Sequence, residues 1–483
     1  MLNDSAAGLI PNENWQPACF KQLEKLINSG NLTQRPVGYL NAGQTVTTAT
    51  ILKSVEGFAE KLSNRVNTQG WAIYCDDSVH FIIALLAALK TRLAIVIIPN
   101  KQTATFNDLI SQNYTLLTDV SLATGNDHHI PVVLEALSDP KEILDLSKQQ
   151  LFSVSCQQPL FFYTSGTTGK PKLIAKQFGQ LIDEVAVLNG LWRENTSQAV
   201  FISTVSHQHI YGFLFKILWP LTIGSPIFSP LVSYPEELLA ISRQFERVVW
   251  IASPALLKRL PDAIDSPVES LAMVVSSGGK LDYQVARQIV DGLQQLPVEI
   301  LGSTETGGVA WRQQSQENSA WTPLPRCAVS KDCETGCLQV SSPFISSDHS
   351  HFVMGDMIEL QKDGQFYLKE RADRIVKIEE KRLSLAQLEA VLQQCKEVSQ
   401  VAAVGLQTGA RAKVGVAIVL TTAGQEKLHK LGKRSLNLHF TQLLSNHFER
   451  TLLPKKWRYV NQLPENSQGK MSVSALTALF EKQ

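Results

Sequence analysis

Apolar and polar positions divide most of the chain into short buried runs separated by longer segments of helical spacing. Residues 79–89 read as a helix leading into a fully buried strand at 94–98, and 159–163 form another apolar run. Between 178 and 188, apolar residues fall at 178, 181, 182, 185 and 188, the spacing of one helix face. Residues 271–275 and 298–301 are expected as buried strands with a helix between them. This alternation predicts a layered α/β architecture. It contains no internal repeat and no low-complexity tract.

The pattern changes near residue 373. After it, 375–378 and 398–404 alternate as strands, 384–395 reads as a helix capped by Ser384, and 413–420 and a helix over 435–448 complete a small α+β unit. The fold class expected is therefore α/β, with a large domain over 1–372 and a small α+β domain over 374–483.

Composition adds charge to this division. Lys and Arg number 45 against 44 Asp and Glu, so the whole chain is nearly neutral and gives no reason to expect nucleic acid. Residues 374–483 carry 17 basic and 8 acidic side chains, a net +9, which leaves −8 on the remainder. A basic small domain attracts phosphates or an acidic partner. The seven cysteines are dispersed, which fits a reducing cytoplasm, and Cys327, Cys333 and Cys337 lack the spacing of a zinc site. The first twenty residues carry Asp4 and Glu13 without a continuous apolar run, so no signal peptide is expected. Lys90 and Arg92 interrupt the greasiest stretch, so no membrane span is expected either.

The segment richest in chemistry is Thr164-Ser165-Gly166-Thr167-Thr168-Gly169-Lys170-Pro171-Lys172, which follows a buried strand. Hydroxyls and exposed N–H groups bond phosphate oxygens, glycine lets the backbone approach closely, and lysine neutralises charge. Its spacing is not that of the common P-loop. A second segment, Leu301-Gly302-Ser303-Thr304-Glu305-Thr306-Gly307-Gly308, sets an acid beside glycines after a buried strand, as suits magnesium held with phosphates.

Together these segments resemble the adenylate-forming, AMP-binding superfamily of acyl- and aryl-CoA synthetases, luciferases and peptide-synthetase adenylation domains. Further segments carry the same resemblance in the same order. They are Ser206-His207-Gln208-His209-Ile210-Tyr211-Gly212, Ser276-Ser277-Gly278-Gly279, Met354-Gly355-Asp356, Glu370-Arg371-Ala372-Asp373 and Leu463-Pro464-Glu465-Asn466-Ser467-Gln468-Gly469-Lys470.

The resemblance implies ATP and Mg²⁺ as cofactors, with CoA or a phosphopantetheinyl carrier protein as acceptor. It makes Glu305 the magnesium ligand and Thr304 a phosphate contact. Asp356 would hold the ribose hydroxyls, Arg371 would assist there, and Asp373 would be the hinge. Lys470 would be the catalytic lysine of adenylation. His209, Ile251 and Gly308 would border the acyl pocket, with Gly278, Gly279, Leu301, Gly302 and Ser303 along the nucleotide.

Departures from the pattern are Leu301 where an aromatic usually stacks on adenine, Met354 in place of a hydroxyl, and Glu379-Glu380 where a glycine borders the thiol passage. The segments His207-Gln208-His209-Ile210-Tyr211-Gly212 and Glu380-Lys381-Arg382-Leu383-Ser384-Leu385 are similar to those of bacterial acyl-CoA-synthetase-like proteins of aryl-polyene pigment and related lipid-type clusters. The activity implied is ATP-dependent conversion of an aryl or fatty acid to acyl-AMP, then transfer to a thiol. A stand-alone adenylation enzyme for an amino acid or amine acceptor, or a non-catalytic nucleotide-binding relative, is the alternative. An acyl carrier protein docking on the basic small domain and a cytoplasmic location complete the expectation.

Overall fold

The computed structural model describes residues 35–40, 43–65, 67–121, 129–134, 155–164, 172–345, 350–378, 381–408, 411–464 and 471–481. They form two compact units. One is built from the described residues of Met1–Thr164, Pro171–Val329 and Val340–Phe352, the other from those of Ser330–Gln339 and Val353–Gln483. The second unit thus includes a strand pair ahead of Asp373 as well as everything after it.

In the first unit, β1 (Gly70–Tyr74), β2 (Ala94–Ile97), β3 (Tyr114–Thr118), β4 (Pro159–Thr164) and β5 (Lys172–Gln177) share a six-stranded sheet with the short strand His129–Pro131. Its order is His129–Pro131, β3, β1, β2, β4, β5, parallel throughout except for the antiparallel pair β4–β5. Parallel strands are covered on both faces, so Trp71-Ala72-Ile73 and Ile95-Val96-Ile97 carry no polar residue.

A nine-stranded sheet holds β6 (Val200–Ser203), β7 (Val248–Ala252), β8 (Leu271–Ser277), β9 (Val298–Ser303) and β10 (Gly307–Gln313). β6, β7, β8 and β9 are parallel neighbours in that order, and β10 returns antiparallel to β9.

Helices α1 (Ser78–Thr91) and α2 (Phe178–Thr196) contribute to one apolar core that also holds Trp71, Ile73 and Phe162 of the first sheet and Phe201, Ile251 and Val275 of the second. Burying each such large side chain stabilises the fold by about 1.5–3 kcal/mol. α1 starts where the Asp77 carboxylate accepts from the N–H groups of Val79 and His80. α3 (Tyr283–Leu293) fills the expected place between β8 and β9.

In the second unit, β11 (Phe352–Leu360) and β12 (Phe366–Arg371) pair antiparallel around Asp363-Gly364, with Gly364 at φ +85°, the turn its residues predict. A one-turn 3₁₀ segment, Ala372–Arg374, leads into the hairpin β13 (Ile375–Ile378) and β14 (Lys381–Ser384). β15 (Val398–Thr408), β16 (Arg411–Leu420) and β17 (Lys456–Tyr459) form a three-stranded sheet. Helices α4 (Leu385–Gln393) and α5 (Thr422–Ser445) enclose its core with Leu388, Leu392, Leu436, Phe440 and Leu444.

Ser384 caps α4 as expected, its hydroxyl accepting from Gln387 N–H at 2.9 Å. The last long helix departs from expectation. It begins at Thr422 rather than near 435, and it is non-helical at Gly432. Its first half buries only Gly424, so no apolar stripe marked it, whereas Leu436, Phe440 and Leu444 repeat at four-residue spacing.

Candidate active site

Because β6 to β9 are parallel, their carboxyl ends lie along one sheet edge, the place where open α/β sheets bind ligands. The chain that leaves β6 there carries His209, and β7 ends at Ile251-Ala252. β8 runs into Gly278-Gly279, and β9 ends through Leu301, Gly302 and Ser303 into Thr304-Glu305. The first unit therefore brings these sequence-derived candidates together. The Tyr211 hydroxyl fastens the segment after β6 to its neighbours, lying 3.1 Å from Ala252 O of β7 and 3.0 Å from Val275 O of β8. Near this edge the buried Thr204 Oγ1, Gln208 Oε1 and Ser276 Oγ have no hydrogen-bond partner among the described residues.

His209 precedes a single helical turn and its carbonyl accepts from Phe213 N–H at 2.7 Å. Burial pushes its imidazole down to about 4, so at neutral pH the ring is uncharged and interacts by hydrogen bonding rather than by charge. His207 is fully committed to the scaffold. Its Nδ1 lies 3.0 Å from Ser78 Oγ and its Nε2 2.9 Å from Cys75 O, and burial lowers it to about 3. The resemblance singled out His209 and gave His207 no role, and the packing commits His207 to the scaffold.

The turn after β9 is braced from within and from behind. Ser303 and Thr306 hydroxyls lie 3.1 Å apart, Ser303 N–H donates to Thr306 Oγ1 at 3.1 Å, and Thr306 N–H donates to Ser303 Oγ at 3.2 Å. From behind, Lys176 Nζ of β5 donates to Glu305 O at 2.6 Å and to Phe344 O at 2.6 Å. Gly308 N–H donates to Glu184 Oε1 of α2 at 2.7 Å. Lys176 and Glu184 are each 2 % exposed. Burial lowers the lysine and raises the carboxyl, while their opposite charges resist both shifts.

Sequence reasoning missed this pair, although a signal was present. Lys176 alternates with Ile174 on the buried face of β5, and Glu184 stands three residues after Leu181 and four before Leu188, on the apolar stripe of α2.

In the second unit Asp356 and Arg371 are paired across β11 and β12, with Arg371 Nη1 3.3 Å from Asp356 Oδ2. Arg374, directly after Asp373, donates to Ala403 O at 3.2 Å and forms an ion pair with Glu389. Thr164 and Lys172 are paired in the β4–β5 ladder, and of these two, as of Asp373, only the backbone is described. Ser165, Gly166, Thr167, Thr168, Gly169, Glu379, Glu380 and Lys470 lie outside the described residues.

Among the described residues no group of three or more His, Cys, Asp or Glu is placed to hold a metal by itself. Glu305 on its braced turn would instead fit an arrangement in which one carboxylate holds magnesium together with substrate phosphates and water. No described helix is long and apolar enough to cross a membrane.

The fold is that of known adenylate-handling enzymes. The chain superimposes on ATP-bound MatB from Rhodopseudomonas palustris with a TM-score of 0.72 over 95% of this chain and 99% of that one, at 16% identity. It matches o-succinylbenzoate CoA synthetase from Bacillus subtilis, in complex with the acyl-adenylate OSB-AMP, at a TM-score of 0.72 over 95% and 98%, at 19% identity. Both share the large N-terminal and smaller C-terminal domains expected of the α/β class.

Residues 119–338 match the family described as AMP-binding enzyme, which bears out the resemblance at the level of that family. Among curated proteins, acetyl-coenzyme A synthetase of Pasteurella multocida (strain Pm70) is 24% identical over 387 residues, covering 68% of this chain and 57% of that protein. The match thus spans little more than half the length of this relative.

Proposed function

We propose that this chain activates a carboxylic acid, aryl or fatty acyl, with ATP and passes the acyl group to a thiol. In the first half-reaction a carboxylate oxygen attacks the α-phosphorus of ATP. The bond to the leaving phosphate breaks, giving acyl-AMP and pyrophosphate. In the second, a thiolate attacks the acyl carbonyl and AMP departs. The observation that carries this reading is the gathering of His209, Ile251, Gly278, Gly279 and the 301–305 segment at the carboxyl ends of the parallel strands β6 to β9.

In this reading the loop 164–172 binds phosphates, with Lys172 as countercharge. Thr304 contacts the α-phosphate and Glu305 is the residue that would hold magnesium, which when bound neutralises phosphate charge. Uncharged His209 borders the acyl pocket with Ile251 and Gly308, where its ring does not compete electrostatically for the carboxylate. Asp356 accepts from the ribose hydroxyls and its Arg371 partner orients it. Asp373 is the hinge, and Arg374 directly after it is anchored to Ala403 and Glu389. Lys470 brings positive charge to the α-phosphate at the transition state, where it counts most.

For the acceptor, the proposal favours an acidic carrier protein. Residues 429–435 of α5 are exposed and include Lys430, Lys433 and Arg434, and Leu431 and Leu438 beside them are 54% and 57% exposed. Such a surface fits a partner with an acidic face and an apolar anchor. A cytoplasmic site of action belongs to the same reading.

The test is ATP–pyrophosphate exchange with a panel of benzoates, cinnamates, fatty acids and amino acids. Exchange with aryl or fatty acids is expected, and CoA or carrier protein added afterwards distinguishes the acceptors. Exchange supported only by amino acids would redirect the reading to the alternative adenylation activity.

A further inference from the structure

A lysine and a glutamate buried behind the turn need a reason. Charged side chains are rarely interred without a task, because burial removes their hydration. The β5 position of Lys176 lies on the face occupied by Ile174, where an apolar residue would pack without that cost. Lys176 Nζ instead makes two 2.6 Å bonds to backbone carbonyls, one of them Glu305 O. Glu184 Oε1 takes the Gly308 N–H, and a side chain on Gly307 would come within 2.4 Å of Glu184 Oε2. The two charges therefore grip the 305–308 turn at both ends. Gln180 of α2 adds a further tie, its Nε2 donating to Ile345 O at 2.5 Å beside the Phe344 carbonyl that Lys176 also holds.

The strand bearing Lys176 is the one that returns from the Ser/Thr/Gly loop. Lys176 stands on β5, which is hydrogen-bonded along its length to β4, so the turn is held from a strand rather than from a loop. We infer that Lys176 and Glu184 are positioning residues, fixing the turn that carries Thr304 and Glu305 and so setting where magnesium-bound ATP is held. This rests on the proposed ATP site. Neither side chain touches substrate in this account; each acts through the backbone of the turn.

The test uses the full chain, with ATP in MgCl₂ and ATP in EDTA as probes, read by calorimetry beside thermal melting. Wild type is expected to bind ATP more tightly with magnesium than in EDTA. Lys176→Met and Glu184→Gln should reduce that gain about ten-fold or more, since misplacing a group by about 1 Å can cost up to about 10²-fold, while the affinity for adenosine, which reaches neither magnesium nor the phosphate contacts of the turn, stays unchanged.

Both single variants leave one buried charge unbalanced and should melt at lower temperature. The double variant Lys176→Met/Glu184→Gln removes both charges and should recover the melting temperature but not the magnesium gain. Recovery of both would make the pair a matter of charge balance and overturn the inference, as would single variants that fold and keep the full gain. Wild type that binds no ATP would instead overturn the functional reading on which it rests.

Discussion

At the scale of single residues, environment decides chemistry among side chains that look alike in sequence. His207 and His209 stand two positions apart, yet one is bonded between Ser78 and Cys75 and the other stands at the sheet edge. Both are held uncharged by burial. For His209 the folded value of about 4 lies below the ordinary 6.5, so between those values the unfolded chain binds more protons and stability falls as pH falls. Asp183, raised by burial to about 6, works in the opposite sense, so the difference between variants is the clean reading. His209→Gln should lose less stability than wild type between pH 7 and pH 4, by on the order of 2 kcal/mol in urea unfolding. An identical loss in both would show that the ring titrates freely. The candidate residues of the site were legible because hydroxyls, glycines and acids recur in fixed order. Lys176 and Glu184 were not, because a lysine in a strand and a glutamate in a helix are usually solvated and only the packed neighbours show otherwise.

Single elements repeat the lesson. Strands covered on both faces were legible as apolar runs, as β2 and residues 271–275 of β8 show, because an unpaired polar side chain there would lose its hydration. α5 was half legible: its packed part repeats Leu436, Phe440 and Leu444, whereas residues 429–435 are exposed and carry no period. The turn between β9 and β10 is the element on which the site depends most. Gly307 lies at φ +68° with Glu184 Oε2 where a Cβ would go. Gly307→Ala combines backbone strain with a clash and should cost about 1–3 kcal/mol in denaturant unfolding. A variant as stable as wild type would mean that the turn yields, and would weaken the claim that it is rigidly held.

At the scale of the whole molecule, near-neutral charge conceals a division between an acidic large part and a strongly basic end. Charge arithmetic exposed this without any structure, but only the structure located exposed Lys430, Lys433 and Arg434 on α5. Reversing all three to glutamate should slow acyl transfer to an acidic carrier protein about ten-fold at low salt, with transfer to CoA unchanged. The wild-type rate should itself fall as salt rises above about 0.1 M, where the screening length is about 10 Å. Equal slowing with CoA would assign these cations to the nucleotide rather than to a protein.

The central claim is adenylation of a carboxylate, and the most direct measurement is acid-dependent ATP–pyrophosphate exchange by wild type beside Lys470→Ala. The account predicts exchange with an aryl or fatty acid in wild type, none in the variant, and AMP bound equally by both. Exchange that survives in Lys470→Ala, or wild type that binds AMP yet exchanges with no acid of the panel, would contradict it.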